Sequence, residues 1–362
     1  RQVGDEVALG QALRWLSRIC WWAGDILGAR VAGDEAVAVL DGTGHPAELA
    51  MILSNQAQLH ALAGQAALAV EAGERALELG GHVPAIRSHA LNNVGLALAR
   101  VDDPRWREMF EESLATALAA DDPEQACRAY VNRVWCELER LDIEAAATRL
   151  AAGIELAERT EFVTFSRYLQ LILGMVHLAR GEWDEVVPSA AYALDGSPPI
   201  RGTALTVVGR LRARRGEPGA LDLLREAWEL AVRADECQRI GPAAAALAEA
   251  AALADDPSLA ERELRIASEL AHRVGSTAVR AELDYWLVRL GLPVAEGLLA
   301  ATAHPYAALA VGDWRAAAAR WSAAGWRYEA ALALASSRDA EELLAALAEF
   351  DALGAEPMAA RV

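Results

Sequence analysis

Apolar residues recur along the chain in helical stretches that each bury one face, and a short turn interrupts them about every 35 to 40 residues. A second helical stretch follows each turn. A small residue, such as Ala67 or Ala145, follows most of the turns within about one helical turn, and its small size allows the second helix to pack closely on the first. The pattern therefore predicts a helical solenoid. The turns lie at Gly24-Asp25, Gly64-Gln65, Asp102-Asp103-Pro104, Leu141-Asp142, Gly181-Glu182, Gly216-Glu217 and Asp255-Asp256-Pro257.

The first helix of each pair lies between these turns. First helices are predicted near residues 8–23, 46–63, 84–101, 123–140, 161–180, 198–215, 236–254 and 276–290. Prolines at or near helix starts support this placement. The N–H groups of the first helical turn have no partner within the helix, so proline, which lacks an N–H, loses no hydrogen bond there. These prolines are Pro46, Pro84, Pro123, Pro199, Pro242 and Pro257. The predicted fold class is all-α: a right-handed superhelix of antiparallel helix pairs, similar to a tetratricopeptide α-solenoid, whose first helices line an open concave trough.

The repeat pattern weakens near residue 291. Gly291-Leu292-Pro293 opens a less regular segment through Thr302, and shorter helices are predicted near 304–311, 314–324, 326–335 and 339–353. End repeats must cover the last exposed apolar face of a solenoid. We therefore expect two parts: a repeat array over 1–290, and shorter helices over 291–362 that cap it and lead to a further C-terminal module.

Composition restricts the function. The 362 residues carry a net charge of −18, which disfavours direct binding to nucleic acid, and all 34 basic residues are arginine. The absence of lysine excludes a Walker A site and Schiff-base chemistry. The four cysteines stand apart without a C-x-x-C pair, and no long uncharged apolar run occurs. These features indicate buried thiols in a cytoplasmic protein that does not enter a membrane.

The sequence contains no recognisable catalytic or metal-binding pattern. The predicted connections are short, so there is little loop to carry an active site. The seven histidines are scattered, and acidic pairs such as Glu111-Glu112 are typical of solvated helix faces. We expect no catalytic residue, no metal site and no cofactor in this segment, and hence no enzyme.

Two polar patterns are candidate recognition sites. Asn55, Asn93 and Asn132 recur at similar positions in three successive first helices, and with Arg133 they could line a ligand groove. The alternative is that these amides bond within their own repeats. Arg210, Arg212, Arg214 and Arg215 form a basic cluster for an anion or an acidic partner, although arginines ending a solvated helix would explain it equally.

The C-terminal region carries a resemblance to a known family. The residues are His304-Pro305-Tyr306, Gly312-Asp313-Trp314-Arg315-Ala316-Ala317, Trp321 and Tyr328-Glu329-Ala330-Ala331-Leu332-Ala333-Leu334-Ala335. Their order resembles large ATP-binding LuxR-type transcriptional regulators related to the bacterial maltose regulator, in which such a stretch closes a tetratricopeptide-like region. The resemblance implies a fragment lacking the NTPase and helix-turn-helix modules, so that ATP and DNA would bind only to those missing modules.

The resemblance and the repeats together suggest a function. We expect the non-catalytic sensor and coupling region of a cytoplasmic LuxR-type regulator, which binds an inducer or a partner protein and relays its state to the flanking modules. The alternative is a tetratricopeptide scaffold or adaptor that binds a peptide in its concave groove. An enzyme on an α/α toroid would instead require a closed ring with long loops at one end.

Overall fold

The computed structural model describes residues 5–294 and 304–362, and within them every regular element is helical. This confirms the predicted all-α fold class. The helices are α1 (Glu6–Trp22), α2 (Ile26–Leu40), α3 (Pro46–Leu62), α4 (Ala66–Gly80), α5 (Pro84–Arg100), α6 (Trp106–Ala119), α7 (Pro123–Glu139), α8 (Ile143–Arg159), α9 (Val163–Arg180), α10 (Val186–Leu194), α11 (Pro198–Arg215), α12 (Ala220–Ala234), α13 (Cys237–Leu253), α14 (Glu261–Val274), α15 (Thr277–Arg289), α16 (Pro305–Ala310), α17 (Trp314–Ala323), α18 (Arg327–Leu334), α19 (Ala340–Leu353) and α20 (Glu356–Ala359).

The helices stack as a solenoid. Each odd-numbered helix from α1 to α15 packs on the even-numbered helix that follows it, and each of them up to α13 also packs on the next odd-numbered helix. Small side chains make this close stacking sterically feasible: in α13, Ala243, Ala244 and Ala248 are fully buried. The successive pairs therefore share one elongated core.

The predicted turns adopt the left-handed backbone conformation. Gly24, Gly64, Asp102, Leu141, Gly181, Gly216 and Asp255 all have φ angles between 54° and 77°. Glycine adopts this conformation without steric penalty and aspartate tolerates it, which explains why these residues mark the period. Leu141 is the exception, because its branched side chain disfavours a positive φ.

The predicted helix starts are mostly correct. Pro46, Pro84 and Pro123 are the first residues of α3, α5 and α7, and Asp122 caps α7 by accepting a hydrogen bond from the Gln125 N–H at 3.1 Å. Pro242 differs, because it lies inside α13 rather than at its start.

Distant pairs contact each other across the superhelix. Trp21 at the end of α1 donates its Nε1–H to Glu236 Oε1 at 2.8 Å, directly before α13. The Thr277 hydroxyl in α15 lies 3.1 Å from the carboxylate of Asp102, which follows α5. Successive turns of the superhelix therefore touch, and these contacts interrupt the continuous trough that the sequence suggests.

The C-terminal helices also pack on the array. α18 contacts α9, α20 contacts α11, and Arg361 forms an ion pair with Asp255 at 2.7 Å. The predicted boundary near residue 291 stays a prediction, and the part of the irregular segment between 295 and 303 lies outside the described residues.

Candidate functional site

The first helices of the pairs enclose an axial cavity made of three adjoining chambers. All three have Trp135 of α7 and Gln238 of α13 in their walls. The N-terminal chamber has a volume of about 570 Å³, and the central and C-terminal chambers have about 760 Å³ each, counting their open sides. The first helices thus contribute most of the inner wall, as their position in the repeats predicts, and α12 and the C-terminal helices contribute the rest.

Two parts of the chain meet in the wall of the central chamber. Met175 of α9 and Thr206 of α11 belong to the repeat array, whereas Trp326 and Glu329 belong to the C-terminal helices. The lining is mostly apolar with a few polar groups, which is the usual composition of a small-molecule site. A molecule in this chamber would touch both parts at once.

Arg239 is held in the cavity wall by its own chain. Its guanidinium donates to Glu236 Oε2 at 2.7 Å, to the Pro199 carbonyl at 2.7 Å and to the Tyr168 hydroxyl at 3.0 Å. Burial alone would lower the pKa of Arg239, but Tyr168 and Glu236 outweigh it and raise that pKa above its usual value. Because Glu236 also accepts the bond from Trp21, this arrangement ties the first helix pair to the cavity.

Five charged residues, of which Arg214, Glu249 and Glu329 are buried, form an ion network between the central and C-terminal chambers. Arg214 donates to Glu249 and to Glu329, each at 2.7 Å. Arg210 donates to Glu282 at 2.7 Å and lies 3.2 Å from Glu249. Burial alone would lower the pKa of Arg210, but Glu282 and Glu249 outweigh it and raise that pKa. The network joins α11, α13, α15 and α18, so it links the array to the C-terminal helices.

Aromatic rings complete the C-terminal chamber. The ring centroids of Tyr306 and Trp321 lie 5.1 Å apart, and those of Trp321 and Trp326 lie 5.4 Å apart. All three residues line this chamber. The indole N–H groups of Trp321 and Trp326 are buried, and neither has a hydrogen-bond partner in the part of the chain that the structure describes. Buried donors normally have partners, so these two indoles are candidates for ligand contacts.

Charged groups with an unpartnered atom occur in two different chambers. Glu329 Oε2, in the central chamber, has no hydrogen-bond partner among the described residues, and neither has Arg128 Nε in the N-terminal chamber. Burial, with Arg18 adding to it, lowers the pKa of Arg128 to about 10. The wall of the central chamber therefore contains a buried carboxylate oxygen without a partner, and that of the N-terminal chamber a buried guanidinium N–H without one.

The predicted asparagine column is only partly exposed to this cavity. Asn93 is fully buried and donates to the Ser54 carbonyl at 2.9 Å, and Asn55 is buried with its amide 3.5 Å from the Ser17 hydroxyl. Bonding within the array thus accounts for Asn93, and Asn55 is buried with its Oδ1 unpartnered among the described residues, so both have little surface left for a ligand. Asn132 lines the N-terminal chamber, where its ligand role stays a prediction.

Arg133 lies away from the cavity. It donates to Glu137 at 2.8 Å, to the Arg107 carbonyl at 2.9 Å and to Glu111 at 3.0 Å. The helical position of Arg133 directs its side chain toward α6, and its role in a ligand groove stays a prediction.

The four arginines of α11 do not form one surface cluster. Arg210 and Arg214, four residues apart, belong to the ion network. Arg212 and Arg215 are more exposed and lie 3.8 Å and 3.7 Å from Glu217. Carboxylates of this chain already pair with Arg210 and Arg214, and the binding of an external anion by the four arginines stays a prediction.

Most residues of the cavity wall are not evident from the sequence pattern. They lie on inner helices or on the segment with the family resemblance, and they include Glu282, Glu329, Gln238 and Arg239. The helical spacing in α7 was the available signal, because Arg128, Asn132 and Trp135 share one face. The neighbours across the cavity could not be read from spacing.

Some features are absent from residues 5–294 and 304–362. No group of three or more His, Cys, Asp or Glu residues there could hold a metal ion. No helix of the described segments has the length and apolar character needed to cross a membrane.

Comparisons with known proteins give a structural likeness. No protein family matches the sequence, and no curated protein matches it. The apo form of RapI superposes with a TM-score of 0.51 at 13% identity, over 74% of this chain and 98% of RapI. A circular tandem repeat protein with 19% identity covers 98% of this chain and 92% of its own, but its TM-score of 0.17 supports no argument. The chain is thus similar in fold to RapI, as a helical-repeat protein.

Proposed function

We propose that this chain is the sensor and coupling region of a LuxR-type transcriptional regulator, in which a small-molecule inducer binds in the axial cavity. One observation supports this most strongly: Met175 and Thr206 of the array face Trp326 and Glu329 of the C-terminal helices across a single chamber. An inducer that contacts both would favour one arrangement of the C-terminal helices over others. That preference is what a coupling region needs.

The shape of the interior favours a small ligand over a long peptide. Contacts such as that between Trp21 and Glu236 cross the superhelix, so an extended chain has no continuous trough to occupy. Mostly apolar walls with a few polar atoms suit a compact molecule. A peptide-binding scaffold is therefore the less favoured function, and measured binding of a peptide in the interior would be needed to support it.

A thermal-shift screen of small molecules tests the binding site. A compound present at about 100 times its Kd adds about 2.7 kcal/mol to stability, which for a chain of this length raises Tm by roughly 3 °C. Met175→Trp, which fills part of the central chamber, should abolish the shift. Leu68→Trp adds bulk at an exposed site on α4 and should leave the shift intact. Shifts that persist in Met175→Trp would place the ligand elsewhere.

Two further measurements test coupling and family. Amide hydrogen exchange over 314–334 should slow when a hit binds, because the ligand contacts Trp326 and Glu329. Unchanged exchange there, with bound ligand, would refute the relay. The regulator assignment also requires a P-loop module and a helix-turn-helix module in the same gene, and a reading frame encoding neither would refute it.

A further inference from the structure

The ion network beside the cavity contains more negative than positive charge. Three carboxylates (Glu249, Glu282, Glu329) alternate with the guanidinium groups of Arg210 and Arg214, which leaves one negative charge uncompensated within the network. Glu329 Oε2 has no partner in the described segments although the residue is only 2% exposed. A buried carboxylate oxygen in that state is costly unless something binds to it.

The other charged groups of these walls do not supply the missing positive charge. Arg239 is paired with Glu236, and Arg128 of the N-terminal chamber is paired with Glu124 at 3.0 Å. Each of these guanidinium groups thus has a carboxylate partner. The negative charge of the network faces the central chamber through Glu329 and the C-terminal chamber through Glu282.

Aromatic faces surround the same place. Tyr306 and Trp321 of the C-terminal chamber are buried against each other, whereas Trp326 is partly exposed and lines both chambers. Electron-rich ring faces attract cations, and the protein already uses this interaction here: the guanidinium carbon of Arg214 lies 3.9 Å from the ring centroid of Tyr328. The rings and the carboxylates therefore favour the same kind of ligand.

We propose that the junction of the central and C-terminal chambers binds an organic cation, an amine or quaternary ammonium with an apolar body and an oxygen acceptor. The cationic group would lie near Glu329 and Glu282 against the ring of Trp326, and the oxygen would accept a bond from the unpartnered indole N–H of Trp326. This inference rests on the proposed function, because it names the ligand class of that cavity.

Choline phenyl ether is a suitable probe, since it combines a quaternary ammonium group, an ether oxygen and an aromatic ring. Its neutral isostere, 1-phenoxy-3,3-dimethylbutane, has carbon in place of nitrogen, and 3-phenoxypropanoate is the anionic comparison. Binding to the intact chain is measured by calorimetry and by tryptophan emission. The cation should bind about tenfold or more tightly than either comparison compound.

Variants test whether the carboxylates are responsible. Glu282→Gln removes the excess charge but leaves Arg210 paired with Glu249, so the fold should persist, and Kd for the cation should rise about tenfold. Glu329→Gln should act in the same direction. Glu144→Gln, at a site 86% exposed on α8, is the matched control and should have no effect.

The outcomes separate the two proposals. Equal affinity for the cation and its neutral isostere, no binding of the cation at about 10 mM, or unchanged affinity in both cavity variants would each overturn the cation inference. If neutral or anionic compounds bind instead and Met175→Trp blocks them, the proposed inducer site stands while the cation inference fails. If no compound of any charge binds, both fail.

Discussion

Arg214→Met is the sharpest test of how the C-terminal helices are held. The guanidinium of Arg214 is 1% exposed, bonds to Glu249 and Glu329 at 2.7 Å each, and covers the ring of Tyr328. Burial alone would lower the pKa of Arg214, but Glu249 and Glu329 outweigh it and raise that pKa well above its usual value. Methionine retains most of the apolar stem, so the substitution chiefly removes the charge and its hydrogen bonds.

The expected loss is large for one residue. Removing one partner of a buried ion pair leaves uncompensated charge and costs about 3–5 kcal/mol. The entropy of unfolding is about 2.1 cal/mol/K per residue, or roughly 0.8 kcal/mol/K for 362 residues if they unfold in a single transition. The predicted decrease in Tm is therefore about 4–6 °C by scanning calorimetry.

Two comparisons make this result interpretable. Arg159→Met removes an exposed pair with Glu155, whose side chains are 64% and 77% exposed, and should lower Tm by less than about 1 °C. Adding Glu329→Gln to Arg214→Met should recover part of the loss, because it removes one of the stranded charges. An Arg214→Met protein as stable as the Arg159→Met protein would refute the argument.

Three further outcomes are expected. Burial, with Arg320 adding to it, lowers the pKa of His304 to about 4, so the unfolded chain takes up a proton first as the pH falls. About 3 kcal/mol of stability, fully present above pH 6.5, should thus be lost toward pH 4, and His304→Gln should reduce the fall in Tm over that window. Burial raises the pKa of Cys136 to about 12, so a thiol reagent should modify the partly exposed Cys20 much faster under native conditions. Glu161 is exposed with a φ of 56°, so Glu161→Gly should raise stability by about 0.5–1 kcal/mol in denaturant titration.

Each of these outcomes has a contrary result. An unchanged slope of Tm against pH in His304→Gln would contradict the assignment of the imidazole. Equal modification rates for Cys136 and Cys20 would mean that the core opens readily. Glu158→Gly, within the helix α8, should destabilise by about 1 kcal/mol, and a gain there would show that the effect at Glu161 is not conformational.

The fold was predictable because its signals are local. A left-handed turn selects residues such as Gly24 and Asp255, and proline at a helix start selects positions such as Pro84, so both recur with the repeat. Helix bounds follow from these residues to within a few positions. Neither signal depends on how tightly the superhelix winds.

The cavity was harder to predict because its walls come from distant segments. Asn93 and Asn132 occupy similar positions in their helices, yet one is enclosed by its neighbours and the other lines the N-terminal chamber. The inward direction of Arg214 becomes clear only with Glu329, which is 115 residues away. Such partners depend on the winding of the array, and the repeat period does not specify it.

The bond between Trp21 and Glu236 also changes how the chain should fold. In an open array the terminal repeats fray independently, and stability is a sum of units and nearest-neighbour terms. Here, loosening the first pair would remove the Trp21 hydrogen bond from the carboxylate of Glu236, which is fully buried and 215 residues away. The first pair is therefore not free to fray independently, and contacts of such long sequence separation should make folding slow for an all-helical protein.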